Sequence, residues 1–164
     1  MTERPTPGFT LLEVLVVVVI AGVVATFAVL SIDRGAARAL TRGGELVAAA
    51  LDLAGDAAVL SGRPHALLLA RDGFMLLRFR DAGWEPAAGS AWRQRLPAGV
   101  NFVRAACNDL ARCTPTTRPQ VVVLPDGTPY GELPALEQSG IGDGARRLRV
   151  VPGRAGRFAL EALP

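Results

Sequence analysis

Positions 1–8 are largely polar, and a nearly unbroken apolar run follows them. From Val14 to Ile32 no residue is charged, and Val, Ile, Leu, Ala and Phe fill most positions. As a helix rising about 1.5 Å per residue the run covers roughly 28 Å, close to the ~30 Å hydrocarbon core of a bilayer. Beyond it the pattern becomes periodic. Leu46, Ala50, Leu53, Ala57 and Leu60 recur at spacings of four and three, with Val47 and Ala54 beside them and Glu45, Asp52 and Asp56 opposite. That spacing predicts one apolar stripe on an amphipathic helix. Ser61-Gly62-Arg63-Pro64 is a strong stop. The pattern therefore predicts one long helix ending near Leu60, oily all round in its first half and amphipathic in its second, with a weak point at Gly43-Gly44.

After the stop the pattern changes to short apolar runs between turns. His65 to Ala70 and Phe74 to Arg80 flank Arg71-Asp72-Gly73, a hairpin signal. Trp92 to Leu96 and Val100 to Val103 read as weaker strands around Pro97-Ala98-Gly99. Val121 to Leu124 reads as a buried strand ended by Pro125-Asp126-Gly127. Pro129 to Gly144 is rich in Gly and Pro and reads as irregular loop. Leu148 to Val151 and Arg157 to Leu163 are the last predicted strands. A long helix followed by many short strands implies an α+β fold, with the helix stripe packed on antiparallel β-sheets.

Composition narrows the chemistry. The chain has 164 residues, half of them hydrophobic, which suits one folded domain beside the apolar run. Its eighteen basic residues are all arginine and, against fifteen acidic ones, leave a net charge of +3. One His and two Cys leave little for a zinc site or a His-dependent triad. His65 is expected at the surface or at a strand edge. Asp72, Asp126 and Asp143 each precede Gly and fit turns. No nucleophile–base pair, phosphate loop or acidic pair stands out, so an enzyme, a cofactor and a metal are not expected. Cys107 and Cys113 bracket a short polar loop. In an oxidising compartment they are expected to form a disulfide.

The residues before the apolar run decide between a secretory signal, a plain membrane anchor and an assembly segment. Ala25-Thr26-Phe27-Ala28 could serve as a signal cleavage site. Glu13 argues against that, because a carboxylate at the bilayer centre costs about 2.5–3.5 kcal/mol on insertion scales. The stretch Gly8-Phe9-Thr10-Leu11-Leu12-Glu13 resembles the processing motif of type IV pilins and type II secretion pseudopilins. The resemblance implies that a prepilin peptidase cuts between Gly8 and Phe9 on the cytoplasmic side and N-methylates Phe9. It implies residues 1–8 as leader, 9–32 as transmembrane and assembly helix, and 33–164 as a periplasmic pilin-like domain. The mature protein would sit in the inner membrane, single-pass, until it joins a pseudopilus. Other major and minor pseudopilins, the prepilin peptidase and inner-membrane lipid would be its partners. Glu13 would pair with the amino terminus of a neighbouring subunit, since either charge left alone in an apolar filament core is costly.

Further segments resemble the H subfamily of type II secretion minor pseudopilins. They are Asp56-Ala57-Ala58-Val59-Leu60, the Arg63-Pro64 strand entry, Arg71-Asp72-Gly73-Phe74, Leu77-Arg78-Phe79, Gly83-Trp84-Glu85-Pro86 and Leu124-Pro125-Asp126-Gly127. This resemblance implies a subunit at or near the pseudopilus tip that supports export across the outer membrane. Two features fit less simply. Arg34, Arg38 and Arg42 follow the span, whereas an arginine excess usually stays cytoplasmic. Arg146, Arg147, Arg149, Arg154 and Arg157 cluster near the C-terminus without an acid among them. Among them Gly153-Arg154-Ala155-Gly156-Arg157 is similar to the Gly-Arg-x-Arg tail of minor pilins in DNA-uptake pili, though one residue longer, so nucleic acid is the alternative partner, by phosphate contacts.

Overall fold

The computed structural model describes residues 11–87, 93–138 and 146–163, with side chains except at 27–34 and 155. Contacts divide the chain into two units, Met1–Gly35 and Ala36–Pro164. Helix α1 (Leu11–Ser61) runs through 51 residues. In the first unit every described side chain from Leu11 to Thr26 is exposed. Among the described residues no helix is long and apolar enough to cross a membrane.

In the second unit two antiparallel sheets form around the later part of α1. The strands are β1 (His65–Ala70), β2 (Gly73–Arg80), β3 (Gly83–Pro86), β4 (Arg93–Arg95), β5 (Val100–Phe102), β6 (Val121–Val123), β7 (Pro129–Gly131), β8 (Ala135–Gln138), β9 (Arg146–Pro152) and β10 (Phe158–Leu163). The first sheet has the order β3-β2-β1-β6-β7, with β4 sharing the outer edge of β2 beside β3; the second has the order β10-β9-β8-β5. The hairpin of β1 and β2 closes at Ala70↔Gly73, where the Arg71-Asp72-Gly73 signal stands. At the next turn Asp81 (φ 47°) and Ala82 (φ 76°) both take left-handed backbone, the conformation a tight two-residue hairpin requires.

One core joins the helix to both sheets. Leu40, Val47, Leu51 and Ala54 of α1 pack with Leu67, Leu69, Phe74, Val121 and Val123 of the first sheet and with Val100, Phe102, Leu136 and Val150 of the second. Phe74 and Phe102 meet edge to face at 6.5 Å and couple the sheets. A smaller core lies on the other face of the first sheet. There Ala66, Leu68, Ala70, Met75 and Leu77 are covered by Leu110 and Cys113. Strand β1 is thus buried on both faces, which explains why it reads as a continuous apolar run.

Four expectations need correction. The buried stripe of α1 is Val47, Leu51, Ala54 and Ala58, while Leu53 and Leu60 are exposed. Gly43 and Gly44 do not interrupt the helix. They let it approach the sheets: a Cβ on Gly44 would lie 2.8 Å from Leu160, and one on Gly43 would lie 3.2 Å from Val100. The segment read as loop from Pro129 contains β7 and β8; its residues 139–145 lie outside the described ones. His65 is buried, 7% exposed, because β1 is an inner strand flanked by β2 and β6. Its Nδ1 lies 3.1 Å from the Arg63 carbonyl oxygen.

Candidate functional site

Gly8 and Phe9, the expected cleavage and methylation positions, lie outside the described residues. Glu13 stands in the first turn of α1 and is exposed. Around it Leu11, Leu12, Val14, Leu15 and Val16 are exposed, and so are the apolar residues of the following turns. A helix with apolar residues on every side has no polar face to give to water. Among the described residues of its own unit nothing covers these side chains.

Cys107 and Cys113 are joined by a disulfide, with their Cα atoms 5.8 Å apart. The loop between them lies over the second core. Its start is tied to the β1–β2 turn: the Arg71 amide donates to the Cys107 carbonyl at 2.9 Å, and the Ala106 amide donates to the Leu69 carbonyl at 2.9 Å. Asp72 holds its middle. The carboxylate accepts from the Leu110 amide at 2.7 Å and from Arg95 at 3.2 Å. Asp109 caps the 3-10 turn Leu110–Arg112 by accepting from the Ala111 amide at 2.8 Å. At the level of sequence Asp72 carried only a turn signal. Its second role, gathering a loop from well down the chain, has no local signature. Asp126 does act in its turn, accepting from the Thr128 amide at 2.8 Å. That bond holds its carboxyl below the usual value.

The five C-terminal arginines do not form one surface. Along β9, Val150 and Leu148 face the helix core. Arg146 shares their parity, whereas Arg147 and Arg149 alternate to the other face. Arg147 pairs with Glu137 at 3.5 Å. Arg149 stands between Ala135 and Glu161 in the ladder. Arg154 lies in the 3-10 turn after β9 and is exposed. Arg157 reaches back to α1, 3.6 Å from Asp52 and 3.5 Å from Asp56, while the Phe158 amide donates to Asp52 at 2.9 Å. The β9–β10 hairpin is thereby fastened to the helix. On the opposite face a cleft of about 550 Å³ opens between the two sheets, with Leu69, Val103, Gln120, Arg104, Arg147 and Arg149 among its lining. Among the described residues no group of three or more His, Cys, Asp or Glu is placed to hold a metal ion.

Comparison with known proteins adds to this geometry. The family described as "Prokaryotic N-terminal methylation motif" matches residues 6–29, the stretch that contains Gly8, Phe9 and Glu13. A curated relative, type II secretion system protein H of Pseudomonas aeruginosa, is 31% identical over 135 residues, which cover 76% of this chain and 78% of the relative. The chain belongs to the type II secretion system protein H family. Two solved structures of the minor pseudopilin EpsH of Vibrio cholerae have the same fold. Each has a TM-score of 0.54 and covers 75% of this chain, at 18% identity and 93% of the structure in one case and 19% and 96% in the other. Protein H family membership and this fold agree with the α+β class, the helix-on-sheet architecture and the pseudopilin resemblance.

Proposed function

We propose that this chain is a minor pseudopilin of a type II secretion system, a structural subunit that does no chemistry itself. The prepilin peptidase removes residues 1–8 and methylates Phe9. The segment 9–32 holds the mature protein in the inner membrane, with residues 33–164 in the periplasm, and later packs among the helices of other pseudopilins. Its place is at or near the pseudopilus tip. Glu13 acts as a register key by pairing with a neighbour's amino terminus. The observation that carries this reading is the methylation motif lying over the start of a helix whose apolar side chains are uncovered. Burying a carboxylate and an ammonium is costly unless they meet, so a misregistered subunit is penalised. DNA binding draws no support from the C-terminal arginines, since Arg147 and Arg157 are occupied by carboxylates and the others are spread over two faces.

Processing and assembly test the reading in one strain. Gly8→Val is expected to leave the full-length precursor in the membrane, while the native chain shows a mature mass beginning at methylated Phe9. Glu13→Ala is expected to be processed and inserted normally but lost from assembled pseudopili, with secretion of folded substrate falling accordingly. A mature terminus near Ala28, or normal assembly and secretion by the Glu13 variant, would defeat the proposal.

A further inference from the structure

The three arginines that directly follow the apolar run have no role in this scheme. Arg34, Arg38 and Arg42 stand at spacings of four, on the side of the apolar run where an arginine excess is not expected. Arg38 and Arg42 are exposed on α1. Together with Ala37, Thr41 and Glu45 they line a shallow open depression on the helix surface. Among the described residues neither arginine forms an ion pair, and Glu45 forms none with them. Asp33 and Glu45 are the acids of this segment, so positions 33–42 alone carry two more positive than negative charges.

From these observations we infer that Arg34, Arg38 and Arg42 bind the anionic phospholipid headgroups of the leaflet from which the domain emerges. The inference rests on the membrane-anchored stage of the proposed function. The covalent link sets the distance. Arg34 is two residues and Arg38 six residues past Ile32. Even fully extended, six residues span no more than about 20 Å, and as a helix they span about 9 Å. The headgroup layer is itself about 5–7 Å deep on each side of the hydrocarbon core. A long side chain adds reach, because its methylenes lie along apolar surface while the guanidinium seeks the headgroups. Arg42, ten residues past Ile32 and about 15 Å farther along α1, adds to the positive charge of the same segment. Guanidinium suits the phosphodiester because it donates two parallel hydrogen bonds to one anionic group. The contact exists only while the subunit is in the bilayer, so leaving for a filament means giving it up.

The full chain, reconstituted in phosphatidylcholine bilayers, provides the test. Trace spin-labelled phosphatidylglycerol or spin-labelled phosphatidylcholine is added, and electron spin resonance reads the fraction held at the protein. Phosphatidylglycerol is expected to be preferred by at least about five-fold, the effect of a single arginine beside an anionic headgroup. Arg34→Gln, Arg38→Gln and Arg42→Gln together should bring the preference close to one, and the three Arg→Lys changes should leave an intermediate preference, because lysine keeps the charge but not the paired hydrogen bonds. A thermal melt checks that the Gln variant is folded. No preference in a native chain that resists carbonate extraction would overturn this inference and leave anchoring intact. Preference that survives the Gln changes, or that millimolar inorganic phosphate abolishes, would overturn it too. A native chain released by carbonate would instead overturn the anchoring reading, and this inference with it.

Discussion

The two parts of α1 are built from similar residues and meet opposite surroundings. In the first unit Leu15, Val17 and Ile20 are more than half exposed. In the second unit Val47, Leu51, Ala54 and Ala58 are fully buried, the first three in the core shared with the domain's own sheets. Apolar area removed from water stabilises by about 25 cal/mol per Å², and only the second set collects this within the chain. The first set keeps its apolar surface available to lipid or to another helix. The contrast separates a segment that bears the fold from one whose apolar surface the chain itself leaves uncovered. It also explains the glycines. Gly22 has open space where its Cβ would be, whereas Gly43 and Gly44 are where helix and sheets press together.

The sharpest way to break this contrast is to shave each part in turn. Leu51→Ala removes a fully buried side chain from the shared core and should cost about 2–5 kcal/mol. Val17→Ala, in the full chain held in detergent, should leave the unfolding transition of the domain where it was. Denaturant midpoints of the two variants decide the matter. Equal losses would mean that the apolar run also supports the fold.

A smaller effect tests how the helix holds its C-terminal hairpin. The Asp52 side chain is 19% exposed, accepts from the Phe158 amide and lies near Arg157. Asp52→Ala leaves that amide without its partner and should cost about 1–3 kcal/mol. Asp56→Ala keeps the amide bond and weakens only an exposed ion pair, so its cost should stay below about 1 kcal/mol. Hydrogen exchange at the Phe158 amide should quicken in the first variant and hardly change in the second.

These same regions separate what sequence discloses from what it hides. The long helix, its stop at Ser61–Pro64, the β1–β2 hairpin and the methylation motif each have strong local signatures, and all could be read directly. The buried face of α1 could not be placed correctly. Periodicity weights large residues, so it favoured Leu53 and Leu60. Packing chose the small Ala54 and Ala58, because a helix brought close to a sheet has room for little else. Strands β7 and β8 were hidden because Pro129, Gly131 and Pro134 look like loop, although short strands tolerate such residues at their ends and on edges. The two roles of Asp72 and the Arg157 fastening depend on partners distant in sequence, and no local pattern announces them. Half of the assembly motif, Gly8 and Phe9, was legible only as a motif, through its match to a family.

The smallest effect belongs to a turn, and it sharpens the comparison from the surface side. Asp52 and Asp126 both accept a backbone amide, but Asp52 joins two elements inside the domain whereas Asp126 is exposed and closes only its own turn. The Thr128 amide, aided by the Thr128 hydroxyl, holds the Asp126 carboxyl below its ordinary value. A carboxyl whose pKa is lowered by folding stabilises the fold fully above its unfolded value, near 3.9, and loses that contribution as pH falls through the folded value. Asp126→Ala should therefore show a small, constant deficit against the native chain between about pH 7 and pH 5. The deficit should shrink as pH falls below about 4, where the native carboxylate takes up its proton. Denaturant midpoints of both chains across this range provide the measurement. A deficit that stayed constant into acid would mean that the bond to Thr128 does not depend on the charge and that the turn is held by its backbone alone.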